Sequence, residues 1–277
     1  MPFRIWILVA VFVLTTGWGL QESFAATLSG PPTWGNPNQP WGVRRPVTAD
    51  DRALIQRYRS EHKQPLIATN FSNPAELQSL WTLQSDDQPF LKSCRRPENV
   101  VITSNELQLR TLGSTNCKAQ WSTGSMISKV RQKYGFFEAS IKAADISGLN
   151  NAFWLVTEDH FEIDIAEVHF PNIARLTLHN NNHWDTVKED KFHAVGFNSV
   201  FSENLSQSYH DYGVLWTPKD VIYEIDGEPV AAISINDSIK SAADIRFSTA
   251  LTDYAGKIPS NPVGHHMYVR SLRVYPL

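Results

Sequence analysis

From Pro65 onward the chain is written in short segments rich in Val, Ile, Phe, Tyr and Thr, separated by turn signals, with no long helical pattern between them. β-branched and aromatic side chains suit a pleated, half-buried surface. The spacing predicts strands over residues 100–103, 106–112, 134–143, 152–156, 161–170, 175–179, 212–216, 221–225 and 267–275. Asp226-Gly227 stands between the 221–225 and 229–233 segments and predicts a two-residue hairpin. Many short strands at regular intervals, without internal repeats, imply an all-β sandwich or barrel.

The residues ahead of this region read differently. Arg4, the apolar run 5–14 and the small-x-small triplet Ser23-Phe24-Ala25 have the layout of a cleaved export signal over residues 1–25. The run is short for a membrane span, which needs about 20 residues, and no other segment is long and apolar enough. No membrane insertion is therefore expected after signal cleavage. Residues 26–64 read as an N-terminal extension, rich in Pro, Gly and Asn over 27–47. Within it Thr48 with Asp51 forms a capping pattern ahead of a short helix that carries Leu54, Ile55 and Tyr58 on one face. Residues 65–277 suit one large domain. Cys94 and Cys117 are the two cysteines, and in an oxidising compartment a disulfide is the expectation, against two buried thiols. A net charge of −3 without a basic stripe excludes a nucleic-acid partner. An exported, Trp-rich, nearly neutral chain suits a neutral polymer such as a polysaccharide, and a monomer is expected.

The chemistry concentrates in Glu162-Ile163-Asp164-Ile165-Ala166-Glu167. Three carboxyl groups stand in an otherwise apolar segment, where like charges repel and desolvation is costly. Strand alternation puts Glu162 and Asp164 on one face and Ile163 and Ile165 on the other. Glu167, five positions after Glu162, would point away. One extra residue, a bulge near Ile165 or Ala166, returns it to the acid face. Two Glu side chains flanking an Asp suit a retaining glycosidase, with a nucleophile, an acid/base group and a third acid that holds a shared proton. A solvated strand face and a hard-cation site, with His160 and His169 bracketing the acids, are the competing readings.

These residues resemble glycoside hydrolase family 16, whose motif reads E-I/L-D-x-x-E in its bulged form. The resemblance extends in order over residues 65–277. The segment from Trp121 (W-S-T-G-S-M-I) is similar to Y-T-S-G-R-I. That from Tyr134 (Y-G-F-F-E-A-S-I-K) is similar to Y-G-x-F-E-A-R-I-K, and that from Ala152 (A-F-W-L) to P-A-F-W-L. The segment from Tyr209 (Y-H-D-Y-G-V-L-W-T-P) is similar to F-H-x-Y-x-x-x-W-T-P, and residues 267–275 resemble the family's closing strand. The resemblance implies a concanavalin-like β-jelly-roll sandwich, two antiparallel sheets with a concave substrate groove. It implies Glu162 as nucleophile, Glu167 as acid/base and Asp164 as the supporting acid. Trp154 matches a cleft tryptophan, and a flat indole suits a sugar ring. Trp121, Trp184 and His179 are further substrate-binding candidates. Taken alone, Trp154 reads as sandwich core and His179 as a packed strand histidine.

No cofactor is implied. Arg270 stands where many members carry an Asp associated with a structural cation, which speaks against calcium. Asn150-Asn151 stands where β-1,3-glucanases have Trp-Pro, which opens a galactan such as agar or carrageenan beside a β-1,3- or mixed-linkage β-glucan. Few Lys or Arg lie near the motifs, which favours the neutral glucan. Transglycosylation through the same intermediate and a non-catalytic sugar-binding module are the other functional readings.

Overall fold

Alternation of apolar and polar positions builds two antiparallel sheets that bury one face each against the other. The structure is a computed structural model and describes residues 34–35, 38–60, 64–103, 105–114, 116–181 and 194–277. The first sheet runs, in spatial order, through Trp34–Gly35, Ala194–Val200, Ile173–Asn180, Phe161–His169, Leu149–Thr157, Ala243–Leu251, Ser125–Gln132 and Trp81–Leu83. The second runs through Asn38–Gln39, Gly42–Arg45, Glu228–Ser234, Asp220–Ile225, His210–Trp216, Gly135–Lys142, His266–Tyr275, Glu106–Arg110 and Val100–Thr103, with Ile67–Thr69 also paired to His266–Tyr275. A small sheet of Ser93–Arg95, Trp121–Thr123 and Leu112–Gly113 stands apart from both. The predicted all-β sandwich is the fold observed.

Between the sheets lies one core. Phe153 and Phe247 stack at 4.8 Å, and Trp81 and Phe71 close on Phe247. Ile163, Ile165 and Leu155 meet Phe137, Tyr212, Trp216 and Tyr223 from the opposite sheet, all fully buried. Burying side chains of this size favours the folded state by about 2–3 kcal/mol each. At the hairpin the chain adopts φ of 54° at Asp226 and 83° at Gly227, the left-handed pair that a two-residue turn of matching twist requires.

The sequence expectations differ from the structure in three local places. The strand foreseen at 152–156 begins earlier, as Leu149–Thr157, because Asn151 finds buried partners: its Oδ1 accepts from the Ala144 N–H at 3.0 Å and its Nδ2 donates to the Val168 carbonyl at 2.9 Å. The strand foreseen at 106–112 breaks after Arg110, where the Thr111 N–H turns to His266 Nδ1 at 3.3 Å. A short helix, Glu76–Leu80, interrupts the stretch before Trp81, with the Thr69 hydroxyl bonded to Glu76.

The extension pairs with the sandwich. Gly42–Arg45 joins the edge of the second sheet, with Ala232 opposite Arg45. The helix Ala49–Ser60 starts as the cap predicts: the Thr48 N–H donates to Asp51 Oδ2 at 2.8 Å and the Asp51 N–H donates back to Thr48 Oγ1 at 3.2 Å. Its Ile55 and Tyr58 pack on Phe136, Leu215, Ile222 and Ala232, on the face of the second sheet away from the main core. Cys94 and Cys117 are joined in a disulfide, with Cα atoms 6.2 Å apart. A cross-link closing a loop of 23 residues contributes about 3 kcal/mol in the loop-entropy account.

Candidate active site

The acid strand, Phe161–His169, lies inside the first sheet with a neighbour on each side. Against Leu149–Thr157 the register runs Phe153↔Ala166 and then Trp154↔Asp164, so Ile165 has no opposite number. Against Ile173–Asn180 it jumps from Asp164↔Thr177 to Glu167↔Arg175. This is the foreseen bulge, and both Ile165 and Ala166 are buried at 0% exposure in the core. Glu162, Asp164 and Glu167 thereby share the face turned away from the core. Cross-strand partners place His179, Thr177 and Arg175 beside them on one side, and Trp154 and Ala152 on the other.

Each acid has its own surroundings. Asp164 is 4% exposed, and its Oδ2 lies 3.1 Å from His179 Nε2. Glu162 Oε2 accepts from Asn181 Nδ2 at 3.3 Å. Glu167 Oε1 accepts from Asn150 Nδ2 at 2.6 Å and from the Tyr254 hydroxyl at 2.9 Å. Burial, then the charge of Asp164, push the Glu162 carboxyl up to about 8, against the pull of His179. Burial, then the charge of Glu167, lift Asp164 well above the usual carboxylate range, and Asp164 is also hydrogen-bonded to Glu162. A proton held on the central Asp164 removes the charge that most lifts Glu162, so the three acids share protons as one set. Glu162 can attack in the form of this set in which Asp164 carries the proton and Glu162 is ionised.

The aromatic and basic groups fall into place around this row. Trp154 is half-buried; its Nε1 donates to Ser248 Oγ at 3.1 Å, and the Arg246 guanidinium lies 4.7 Å from its ring centroid. Arg175 stands across from Glu167, and its guanidinium lies 5.6 Å from the Tyr254 ring. Strand pairing thus brings Arg175 beside Glu167 from outside the acid motif, whereas Arg246 lies beyond Trp154 and is paired with Asp244 Oδ1 at 2.5 Å. Trp121 sits in the small sheet against Ala144, Ile146, Leu149 and Leu251, and lines a pocket of about 440 Å³ with Asp87, Lys92 and Lys118. No residue of the acid strand lines that pocket. Trp184 lies outside the described residues. His160 occupies the turn before the acid strand at φ 62°, its N–H bonded to the Thr157 carbonyl at 3.1 Å. Glu162, Asp164 and His179 offer ligand atoms within 4.8 Å of one another, but a cation there would have to displace the His179–Asp164 contact. At the position of the absent aspartate, Arg270 donates to Ser140 Oγ at 3.1 Å and stacks 4.6 Å from the Tyr209 ring centroid.

The profile of glycosyl hydrolases family 16 matches residues 91–266, which include the whole acid strand and both its neighbours. The chain belongs to that family. An endo-1,3-1,4-beta-glycanase of Rhizobium meliloti is 26% identical over 181 residues, 63% of this chain and 36% of that protein. A beta-agarase of Agarivorans albus is 31% identical over 142 residues, 47% of this chain and 29% of that protein. The matched part of the chain is thus well under two thirds of either relative's length. Among solved structures, the catalytic domain of an endo-1,3-beta-glucanase (laminarinase) from Thermotoga petrophila superposes with a TM-score of 0.66 at 17% identity, over 76% of this chain and 97% of that one. That likeness shows the family 16 jelly-roll fold.

Within this family 16 site the sequence reading missed Asn150 and Tyr254, which hold Glu167, and Asn181, which bonds Glu162. Asn150 carried a readable signal. It precedes Ala152 and Trp154 by two and four positions, so alternation sets all three on the acid face. Tyr254 carried none, since it arrives from a 3₁₀ turn, Asp253–Ala255, 87 residues beyond Glu167.

Proposed function

We propose that the chain is an exported, endo-acting, retaining glycoside hydrolase that cleaves a β-linked polysaccharide. Glu162 attacks the anomeric carbon and forms a glycosyl-enzyme. Glu167 protonates the leaving oxygen and then takes a proton from the incoming water. Asp164, buried between them and bonded to both His179 and Glu162, holds the shared proton. Trp154 offers the flat face for a sugar ring beside the acids. The observation that carries this reading is the bulge at Ile165–Ala166, which sets all three acids on one face of one strand. The disulfide supports export to an oxidising compartment. Among the described residues no helix is long and apolar enough to cross a membrane.

A β-1,3- or mixed-linkage β-glucan is the first substrate to test. A galactan is the second, favoured by one specific feature: Arg175 beside Glu167 suits a polymer that carries anionic substituents. Incubation with a panel of glucans and galactans, scored for new reducing ends, separates the two. Glu162→Gln and Glu167→Gln should each lower turnover at least about a thousandfold with the fold retained, as removal of a nucleophile or a general acid does. The anomeric proton of the first product, followed by NMR, should show retained configuration. Normal turnover by either variant refutes the assignment.

A further inference from the structure

Both donors that reach Glu167 converge on the same oxygen. Asn150 Nδ2 lies 2.6 Å from Oε1, and the Tyr254 hydroxyl lies 2.9 Å from it. Asn150 Nδ2 is also 2.5 Å from the Tyr254 oxygen, so its two hydrogens are divided between the carboxyl and the phenol. This orientation of the amide is the one a carboxylate demands, since an ionised Glu167 can only accept. The amide oxygen then faces His169, whose Nε2 lies 3.1 Å away and must donate. His169 is 2% exposed, and burial together with the nearby Arg175 holds it down to about 3. It is therefore a neutral Nε2–H donor throughout the working range, and it fixes the amide without switching.

We propose that Asn150, oriented by His169, and Tyr254 form a clamp that positions Glu167 and confines its acid proton to Oε2. The inference rests on Glu167 as the acid/base group. With Oε1 taken by two donors, a proton on this carboxyl resides on Oε2, to which no described residue donates. Hydrogen bonds donated to a carboxylate are stronger than those to its neutral form, so the clamp grips the ionised group more tightly. Other charged groups also face Glu167: Asp164 and Glu162 from its own strand and Arg175 from the neighbouring strand. The clamp differs from these in acting on one oxygen only. It thus sets both where the proton sits and how readily it leaves.

The test is Tyr254→Phe, which removes one hydroxyl from a half-exposed ring, and Asn150→Leu, which removes the amide at similar volume. Glutamate labelled with ¹³C at the side-chain carboxyl reports the titration of Glu167 directly in the ligand-free protein, its signal assigned by its loss in Glu167→Gln. The clamp requires that titration to move upward by about one pH unit in each variant, the scale of a lost hydrogen bond to a charged group. On the polysaccharide cleaved by the wild type, the alkaline limb of kcat/KM should move up by the same amount, because the acid form persists to higher pH. At the optimum, kcat/KM, which reports the first step alone, should fall about tenfold on the polysaccharide and clearly less on an aryl glycoside whose phenol leaves without protonation. On the aryl glycoside kcat also falls, because Glu167 serves as base in the second step. An unchanged Glu167 titration in Tyr254→Phe overturns the proposal, even if Asn150→Leu fails to fold. A wild-type protein that cleaves no polysaccharide refutes the enzymatic reading instead, and the carboxyl titration still decides the clamp.

Discussion

Glu162 illustrates how a functional group can oppose stability. Its carboxyl is held at about 8 in the folded protein, against an ordinary value near 4.5. Between those two values the folded state binds the proton and the unfolded chain has released it. Stability therefore falls as pH rises through that window, and the full penalty is present above pH 8. Glutamine at this position carries no charge to desolvate and no repulsion with Asp164. Glu162→Gln should match the wild type in thermal unfolding at pH 4.5 and exceed it at pH 8.5, by about 1–3 kcal/mol. Equal melting temperatures at pH 8.5 would show that the carboxylate is accommodated without cost. The gain would come with loss of turnover, the trade expected where an active site stores unfavourable electrostatics.

The acid strand shows what spacing along a chain can and cannot specify. Its five-residue separation of Glu162 from Glu167, read with the rule of alternation, is enough to demand a bulge near Ile165 or Ala166, and the register jumps there. The helix cap at Thr48 and the turn at Asp226-Gly227 were legible for the same reason: each is set by neighbours in sequence. The clamp on Glu167 was not, because Asn150, His169 and Tyr254 meet only after three separate elements are packed. Trp121 had a readable motif, and its place in the small sheet, packed on Leu149 and Leu251, was not legible from it. The bulge itself makes a sharp prediction. Deleting Ala166 restores simple alternation, so Glu162, Asp164 and Glu167 remain on one face while Glu167 shifts against its donors; the protein should fold and lose activity only in part. Inserting one alanine after Ala166 makes the separation six, which simple alternation also keeps on the acid face, but it carries Glu167 further along the strand from Asp164 and away from its donors; that variant should fold and lose turnover. Circular dichroism and reducing-end assays on the two variants measure these outcomes, and an insertion variant with full turnover would refute the role given to the spacing that the bulge sets.

Taken as a whole, the molecule stands on more than the sandwich that carries its acids, because the N-terminal helix neutralises charge buried in the second sheet. Glu138 and Glu224 are 5% and 0% exposed, far apart in sequence, and lie on either side of Gly213 in the sheet, where no side chain separates them. Arg59 reaches down from the helix and pairs with Glu138, with Asp211 at 2.9 Å and with Glu224 at 3.4 Å. Burial is the first cause that lifts both glutamates above the usual carboxylate range; their mutual repulsion is the second for Glu224, and Arg59 opposes the rise in each. Arg59→Ala should leave Glu224 without a cation and Glu138 with only Arg273 at 3.5 Å, and cost about 3–5 kcal/mol at pH 8. At pH 5 the same substitution should cost less, because both carboxyls can then take up protons in the folded state and no longer need a cation. Urea unfolding of the wild type and variant at the two pH values measures this difference. The double substitution Glu138→Gln with Glu224→Gln, made in the Arg59→Ala background, should recover part of the loss at pH 8. A loss independent of pH, with no recovery, would mean that the helix holds the sheet through Ile55 and Tyr58 alone and that the buried charge is incidental to it.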